Sequence, residues 1–302
     1  MLPLAEYKTE VHNDWCPGCG DFGVLASLQM ALRELEIPPH KAVVYSGIGC
    51  SGKTPHYINA YGFHTLHGRV LPMATGAKLA SPDITVIAVG GDGDGLGIGA
   101  GHFVGAGRRN LDITYMIHDN GVYGLTKGQA SPTMPKGTQT KSLPEKQVPE
   151  GVNPIALALA CGYTFVARGY ALDPKGLKEL LMRAVQHKGS AFIDAIQTCP
   201  TYNDVHTKEF YGPRVHYIEK DGYDGVVKDP NDEVEVVAKR TQAFQAAYPT
   251  KDKVPLGVFF QVQFATMEET LTQRVPTLFE KPLAATESLY GRTVAPLFAT
   301  MG

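Results

Sequence analysis

The chain has no apolar run approaching the roughly 20 residues needed to span a bilayer. It also has no block of basic residues, and only 5 cysteines in 302 residues. The first absence argues against a membrane protein. The second removes the electrostatic footprint of a nucleic-acid binder, and a formal net charge of -2 agrees with that. A chain this long can bury a core without covalent staples, and its few cysteines do not suggest a disulfide framework. Any that cluster point instead to metal binding or catalysis. Residues Met1 to Trp15 mix Glu6, Lys8, Glu10 and Asp14 with few apolar side chains and lack the apolar segment of a secretory signal. The cytoplasm is the expected compartment.

What is present is a soluble-domain composition, 43% hydrophobic and 19% charged, with 33 glycines concentrated in short stretches. Phe22, Leu25, Leu28, Leu32 and Leu35 are spaced for the buried face of a helix over 21–35. Buried strands are predicted at 42–46, 84–90 and 111–117, with a helix over 96–109 between the last two. Residues 121–151 read as a long functional loop. Asn153 and Pro154 open a helix through Ala160, and Asp173 and Pro174 cap another running to about His187. Strands are expected at 163–167 and 191–197. The predicted fold is α/β, a parallel sheet with helices on both faces. One domain covers 1–220, and 221–302 form a C-terminal extension packing on that domain or on a partner.

Gly90-Gly91-Asp92-Gly93-Asp94-Gly95 leaves a strand and enters a helix, so free backbone N–H groups and the helix dipole can hold an anion. Gly95, Gly97 and Ala100 also match a dinucleotide fingerprint, with Asp119 as a ribose ligand. Two aspartates lie in this loop, and a carboxylate within about 4 Å of a diphosphate costs about 4 kcal/mol at an effective dielectric of about 20. A divalent cation reverses that sign. Magnesium favours a carboxylate or two with phosphate oxygens, and the next strand ends in Asp119-Asn120, with 26 residues between Gly93 and Asn120. Asp92, Asn120 and a backbone carbonyl just after Asn120 are the candidate ligands. This Gly-Asp-Gly, its gap and the terminal Asn resemble the thiamine-diphosphate motif.

Cys16-Pro17-Gly18-Cys19 is a turn able to fold around an ion. Cys50 follows one buried strand and Cys199 another, at the end of the sheet where the phosphate loop is expected. Four thiolates there suit zinc or a [4Fe–4S] cluster, and spacing leaves both open. Cys161 reads as a small buried hydrophobe.

Taken together, the segments Trp15 to Gly20, Ser46 to Lys53, His64 to Arg69, Gly90 to Gly101, Gly107 to Asn110, Asp119 to Thr133 and Thr198 to Asn203 resemble the β subunit of 2-oxoacid:ferredoxin oxidoreductases, archaeal or 2-oxoglutarate type. The resemblance implies that Cys16, Cys19, Cys50 and Cys199 hold a [4Fe–4S] cluster, and that Asp92, Asn120 and the Val122 carbonyl hold magnesium. It places the cofactor against Ile48, Gly49, Cys50, Ser51, His67, Gly93, Asp94, Gly124 and Leu125. Lys53 and Lys127 are the basic residues implied near the substrate carboxylates or the cofactor, and Leu125 stands with them at the reacting end. Arg108 and Arg109 are explained by the dipole at a helix C-terminus. The implied reaction is the coenzyme A-dependent oxidative decarboxylation of a 2-oxoacid, with electrons passing to ferredoxin. No segment supplies the glutamate that thiamine enzymes place against the pyrimidine ring. The resemblance assigns it to an α subunit, in a heterodimer or heterotetramer. The alternative is one subunit of a non-oxidative thiamine-dependent decarboxylase with structural zinc.

Overall fold

The computed structural model describes residues 2–250 and 252–279. In chain order the helices are α1 (Asp21–Glu34), α2 (Val70–Ala80), α3 (Ala100–Arg109), α4 (Pro154–Cys161), α5 (Pro174–Gln186), α6 (Lys208–Tyr211), α7 (Glu233–Ala246) and α8 (Met267–Arg274). The strands are β1 (Ala42–Ser46), β2 (Tyr61–His64), β3 (Thr85–Gly91), β4 (Ile113–Asp119), β5 (Val122–Tyr123), β6 (Gln129–Ala130), β7 (Phe165–Tyr170), β8 (Ser190–Ile196), β9 (Val215–Tyr217) and β10 (Val254–Gln261). Eight of them form one sheet in the order β2-β1-β3-β4-β8-β7-β10-β9, and β5 and β6 form a separate hairpin. The sheet is parallel from β2 to β7. It is mixed at its far edge, where β10 runs antiparallel to β7 and β9 parallel to β10.

Alternate side chains of each central strand enter cores on opposite faces, which is why these strands read as unbroken apolar runs. Val43, Val86, Tyr115 and Phe192 meet α2, α3, α4 and α7 on one face. Val44, Ile87, Met116 and Ile193 meet α1 and α5 on the other. Local chemistry sets the helix ends. Asn153 Oδ1 accepts from the N–H groups of Ile155 and Ala156, ahead of Pro154 in the first turn of α4, and Asp173 caps α5 through Gly176 N–H.

Several elements depart from expectation. The helix predicted from 96 starts only at Ala100, because Gly97 takes a non-helical backbone and the preceding Asp94–Ile98 forms a wide turn. Phe22 is exposed and Leu35 only half-buried. Phe22 packs edge-on against Trp15, ring centroids 5.5 Å apart, supporting the cysteine turn rather than the core. Cys161 is half-buried, at the margin of a core. Residues 221–279 supply α7, α8 and β10, whose Val258 and Phe260 pair with Ala167 and Val166. The rest of the predicted extension, 280–302, lies outside the described residues. Among the described residues no helix is long and apolar enough to cross a membrane.

The register fixes the geometry of one edge. Gly91 pairs with His118 and Asp119 with Ile196, so the loops leaving β3, β4 and β8 emerge side by side at their carboxyl ends. β2 lies on the opposite side of β1 from β3, which makes the gap after β1 and β3 a topological switch point.

His187, 4% exposed, follows α5 with Nε2 2.8 Å from Thr164 Oγ1. Burial depresses its pKa to about 4. The unfolded chain therefore takes up this proton near pH 6.5, before the folded one does. The stability tied to neutral His187 is intact above pH 6.5 and drains as pH falls towards 4, by about 3 kcal/mol in all. Urea unfolding of His187→Gln is expected to show a shallower loss of stability across that window than the parent chain.

Candidate functional site at the carboxyl edge of the sheet

A cavity enclosing about 650 Å³ of space, its open mouth included, lies at the switch point. Its walls are Ile48, Gly49, Cys50 and Ser51 from the loop after β1, Gly91 to Asp94 after β3, Asn120 and Val122 to Thr126 after β4, with His67 and Gln197 closing it. Every residue that the sequence placed against the cofactor or magnesium lies on this wall. Lys53 and Lys127 do not. Lys53 Nζ donates to Asp14 Oδ2 at 2.8 Å. Lys127 is exposed, with left-handed backbone (φ 79°). Leu125 is on the wall and 53% exposed.

The cavity is built around two buried carboxylates. Asp94 Oδ1 accepts from Ile48 N–H (3.0 Å) and Gly68 N–H (2.8 Å), and His67 Nδ1 stands 3.1 Å from it. Gly47 must lack a side chain, since a Cβ there would fall 2.1 Å from the Asp94 carboxylate. Asp92 Oδ2 accepts from Gly121 N–H at 3.1 Å and from the hydroxyls of Ser131 and Thr133. Thr133 Oγ1 also lies 2.7 Å from Asp119 Oδ1. Burial raises the pKa of Asp92 and of Asp94. It raises Asp119 further, with the charges of Asp194 and Asp92 adding to it. Asn120 Oδ1 accepts from Val122 N–H, closing the turn into the β5–β6 hairpin.

The cysteine segments meet behind one wall. A Cβ at Gly124 would lie 3.5 Å from Cys50 Sγ and 3.8 Å from Cys199 Sγ. Gly20 N–H donates to the Thr198 carbonyl, Trp15 Nε1 donates to the Cys50 carbonyl, and Cys19 Sγ lies 3.4 Å from Asp21 Oδ2. All five cysteines are free. Burial drives the Cys50 thiol up to about 12 and raises Cys19 and Cys199 as well. Ligation at these sulfurs must therefore displace protons.

Comparison with known proteins gives the family. The family of the thiamine pyrophosphate enzyme C-terminal TPP binding domain matches residues 47–195, and that of the C-terminal part of the pyruvate ferredoxin oxidoreductase beta subunit matches 199–275. The 2-oxoacid:ferredoxin oxidoreductase subunit beta of Saccharolobus solfataricus is 54% identical over 93% of this chain and 92% of its own. Subunit beta of 2-oxoacid:ferredoxin oxidoreductase 1 from Aeropyrum pernix is 55% identical over 91% and 86%. The chain belongs to the 2-oxoacid:ferredoxin oxidoreductase β subunits. A solved structure of the same family, 2-oxoglutarate:ferredoxin oxidoreductase from Magnetococcus marinus with 2-oxoglutarate, coenzyme A and succinyl-CoA bound, is 34% identical. It superposes with a TM-score of 0.84 over 100% of this chain and 96% of that one.

For a β subunit of this family, residue-type reasoning missed Gly91, Tyr123, Thr126 and Gln197 on the cavity wall. It also gave no role to Ser131 and Thr133, which hold Asp92. Gln197, two positions before Cys199, was the most accessible of these from spacing. The hydroxyls gave no signal beyond their place in the 119–133 stretch.

Asp94→Ala would strand the Ile48 and Gly68 donors, each costing about 1–3 kcal/mol. Asp94→Asn keeps the Oδ1 acceptor and removes a buried charge. Hydrogen exchange is expected to quicken at the Ile48 and Gly68 amides in the alanine variant, and to stay near the parent rate in the asparagine variant.

Proposed function

We propose that this β subunit holds thiamine diphosphate through magnesium beside one [4Fe–4S] cluster. Together with an α subunit, in the cytoplasm, it carries out the coenzyme A-dependent oxidative decarboxylation of a 2-oxoacid, with ferredoxin as electron acceptor. The observation that carries this reading is the shared wall: Cys50 and Gly124 both line the cavity, and a Cβ at Gly124 would lie 3.5 Å from Cys50 Sγ and 3.8 Å from Cys199 Sγ.

The residues present fit each group. Asp92, Asn120 and Val122 supply hard oxygens for magnesium at one end of the cavity. The Ser51 hydroxyl and Asp94 Oδ2 are buried without a hydrogen-bond partner, and at Gly49 nothing lies within 4 Å of a would-be Cβ. The wall there is bare backbone that a ligand can approach closely. Cys16, Cys19, Cys50 and Cys199 are the cluster ligands. Among the described residues no three His, Cys, Asp or Glu side chains are grouped to hold a single metal ion. The relatives' names as ferredoxin oxidoreductases favour an electron-carrying cluster over structural zinc.

Bound thiamine diphosphate supplies the electron sink for loss of carbon dioxide, and the cluster an acceptor for single electrons. The protein's own part is orientation and insulation. Asp94 holds the loop carrying Cys50, His67 faces the loop after β3, and Leu125 presents an apolar surface at the open end. Lys53 and Lys127 serve the substrate carboxylates from outside the wall, which requires Lys53 to leave Asp14. Among the described residues no glutamate lines the cavity, so the carboxylate facing the pyrimidine comes from the α subunit. A relative with bound 2-oxoglutarate and coenzyme A supports this substrate class.

In the αβ complex purified without oxygen, brown visible absorption is expected to bleach when 2-oxoacid and coenzyme A are added together. Cys50→Ser should lose most of its iron, and Cys161→Ser should keep it. A colourless complex containing zinc would refute the cluster.

A further inference from the structure

Gln197 follows β8 and stands between the cavity and the cysteine turn. Its side chain is 1% exposed, it belongs to the cavity wall, and its Oε1 lies 3.9 Å from Cys19 Sγ. Backbone contacts fix it there. Gln197 N–H donates to the Asp119 carbonyl at 2.8 Å, and Gly20 N–H donates to the neighbouring Thr198 carbonyl at 3.1 Å. A Cβ at Gly20 would fall 2.6 Å from Gln197 Cβ and 2.8 Å from its Oε1, so glycine lets the cysteine turn close over this amide.

The amide is poorly satisfied as it stands. Among the described residues its side chain has one hydrogen-bond partner, the Cys19 thiol, a weak donor at long range, and nothing accepts from Nε2. A buried amide in this state is costly and calls for a better partner. Ligation of Cys19 supplies one. The sulfur then loses its proton, and a thiolate repels the carbonyl oxygen but accepts from an amide N–H. A half-turn of the amide exchanges its two ends within the same space. Of the four cysteines assigned to the cluster, only Cys19 has side-chain polar groups within hydrogen-bond reach of its sulfur among the described residues. They are Gln197 and Asp21. Asp21 Oδ2 is 3.4 Å away, and a carboxylate only accepts, so Gln197 is the side chain able to donate.

We propose that Gln197 is a positioning residue for electron transfer: its Nε2–H donates to the Cys19 sulfur of the bound cluster and raises the reduction potential of that cluster. The proposal rests on reading Cys16, Cys19, Cys50 and Cys199 as the ligands of a [4Fe–4S] cluster. Reduction adds one electron, and with it negative charge, so a hydrogen bond to the sulfur is stronger in the reduced state. The donor therefore favours electron uptake. The electron comes from the 2-oxoacid as it is oxidised, and no bond breaks and no proton leaves Gln197 in the step. Because the same side chain lines the cavity, this control sits at the boundary between the cofactor and the sulfur.

The test is a redox titration of the αβ complex purified without oxygen, followed by the EPR signal of the reduced cluster. Gln197→Leu keeps a side chain of similar size and removes the donor. Its midpoint is expected to lie about 59 mV below that of the parent, a tenfold fall in the equilibrium constant of a one-electron couple, with iron content unchanged. An unchanged midpoint overturns the role of the amide and leaves the cluster standing. A higher midpoint overturns it too, because the carbonyl end then faces the sulfur. Where Gln197→Leu does not retain iron, the parent complex decides. With glutamine isotopically labelled at its side-chain nitrogen, pulsed EPR of the reduced cluster should show a nitrogen coupling, and absence of that coupling overturns the proposal. A parent complex without iron overturns the cluster reading and this inference with it.

Discussion

One buried carboxylate ties the site together. Asp94, at the carboxyl end of β3, accepts hydrogen bonds from the loop after β1 and from the turn before α2. Its burial is costly, and the two backbone donors offset that cost because charge-assisted hydrogen bonds are the strong ones. The bond to Ile48 sets the path of the loop that carries Cys50. The bond to Gly68 sets the start of α2, and with it His67. The wall of the cavity, the position of Cys50 and the entry of α2 thus share one side chain as their support. Glycine at 47 and 90 follows from the same constraint, since a Cβ at either would run into that carboxylate.

A second set of contacts fixes the sulfur side. Trp15 reaches the Cys50 carbonyl, Tyr57 and Lys53 both engage Asp14, and Trp15 packs edge-on against Tyr57 at 4.9 Å. The N-terminal cysteine turn is therefore held to the Cys50 loop by protein contacts alone. That preorganisation lowers the ordering cost of filling the site. It also explains why Lys53, adjacent in sequence to the cavity loop, points away from the cavity.

The chemistry-bearing positions were legible in the sequence because glycine, aspartate, asparagine and cysteine occur there at spacings that few other demands produce. The ends of the strands were not, and the reason is burial of polar residues. Hydropathy closes β4 at Ile117, yet the strand continues through His118 and Asp119, because His118 Nδ1 meets Asp21 Oδ1 at 2.6 Å inside the fold. It closes β7 at Ala167, yet Arg168 stays in the strand by donating to Asp194 at 2.7 Å. β10 was hidden differently: Pro255 and Gly257 interrupt its apolar run, which an edge-side position tolerates and a pattern search does not. Tertiary partners supplied what periodicity could not reveal.

The two faces of the sheet are unequal. Under α1 and α5 the core is closed, with Leu28, Leu32, Leu177 and Leu181 fully buried. Over α2 and α3 the described residues include exposed glycine, exposed methionine and arginines that no described carboxylate pairs. An isolated enzyme would gain stability by replacing Gly76 with alanine, since that glycine sits mid-helix in open space at a penalty of about 1 kcal/mol. Keeping a glycine there is costly unless another backbone must come close. The cavity is likewise uneven, with polar groups and bare backbone on its walls and, among the described residues, no glutamate. Helix face and cavity mouth are contiguous, since a Cβ at Gly68 would lie 2.5 Å from Ile98 Cγ2 and the adjacent His67 is on the cavity wall. The two faces of this fold thus differ, and the family's name as a β subunit implies a partner chain.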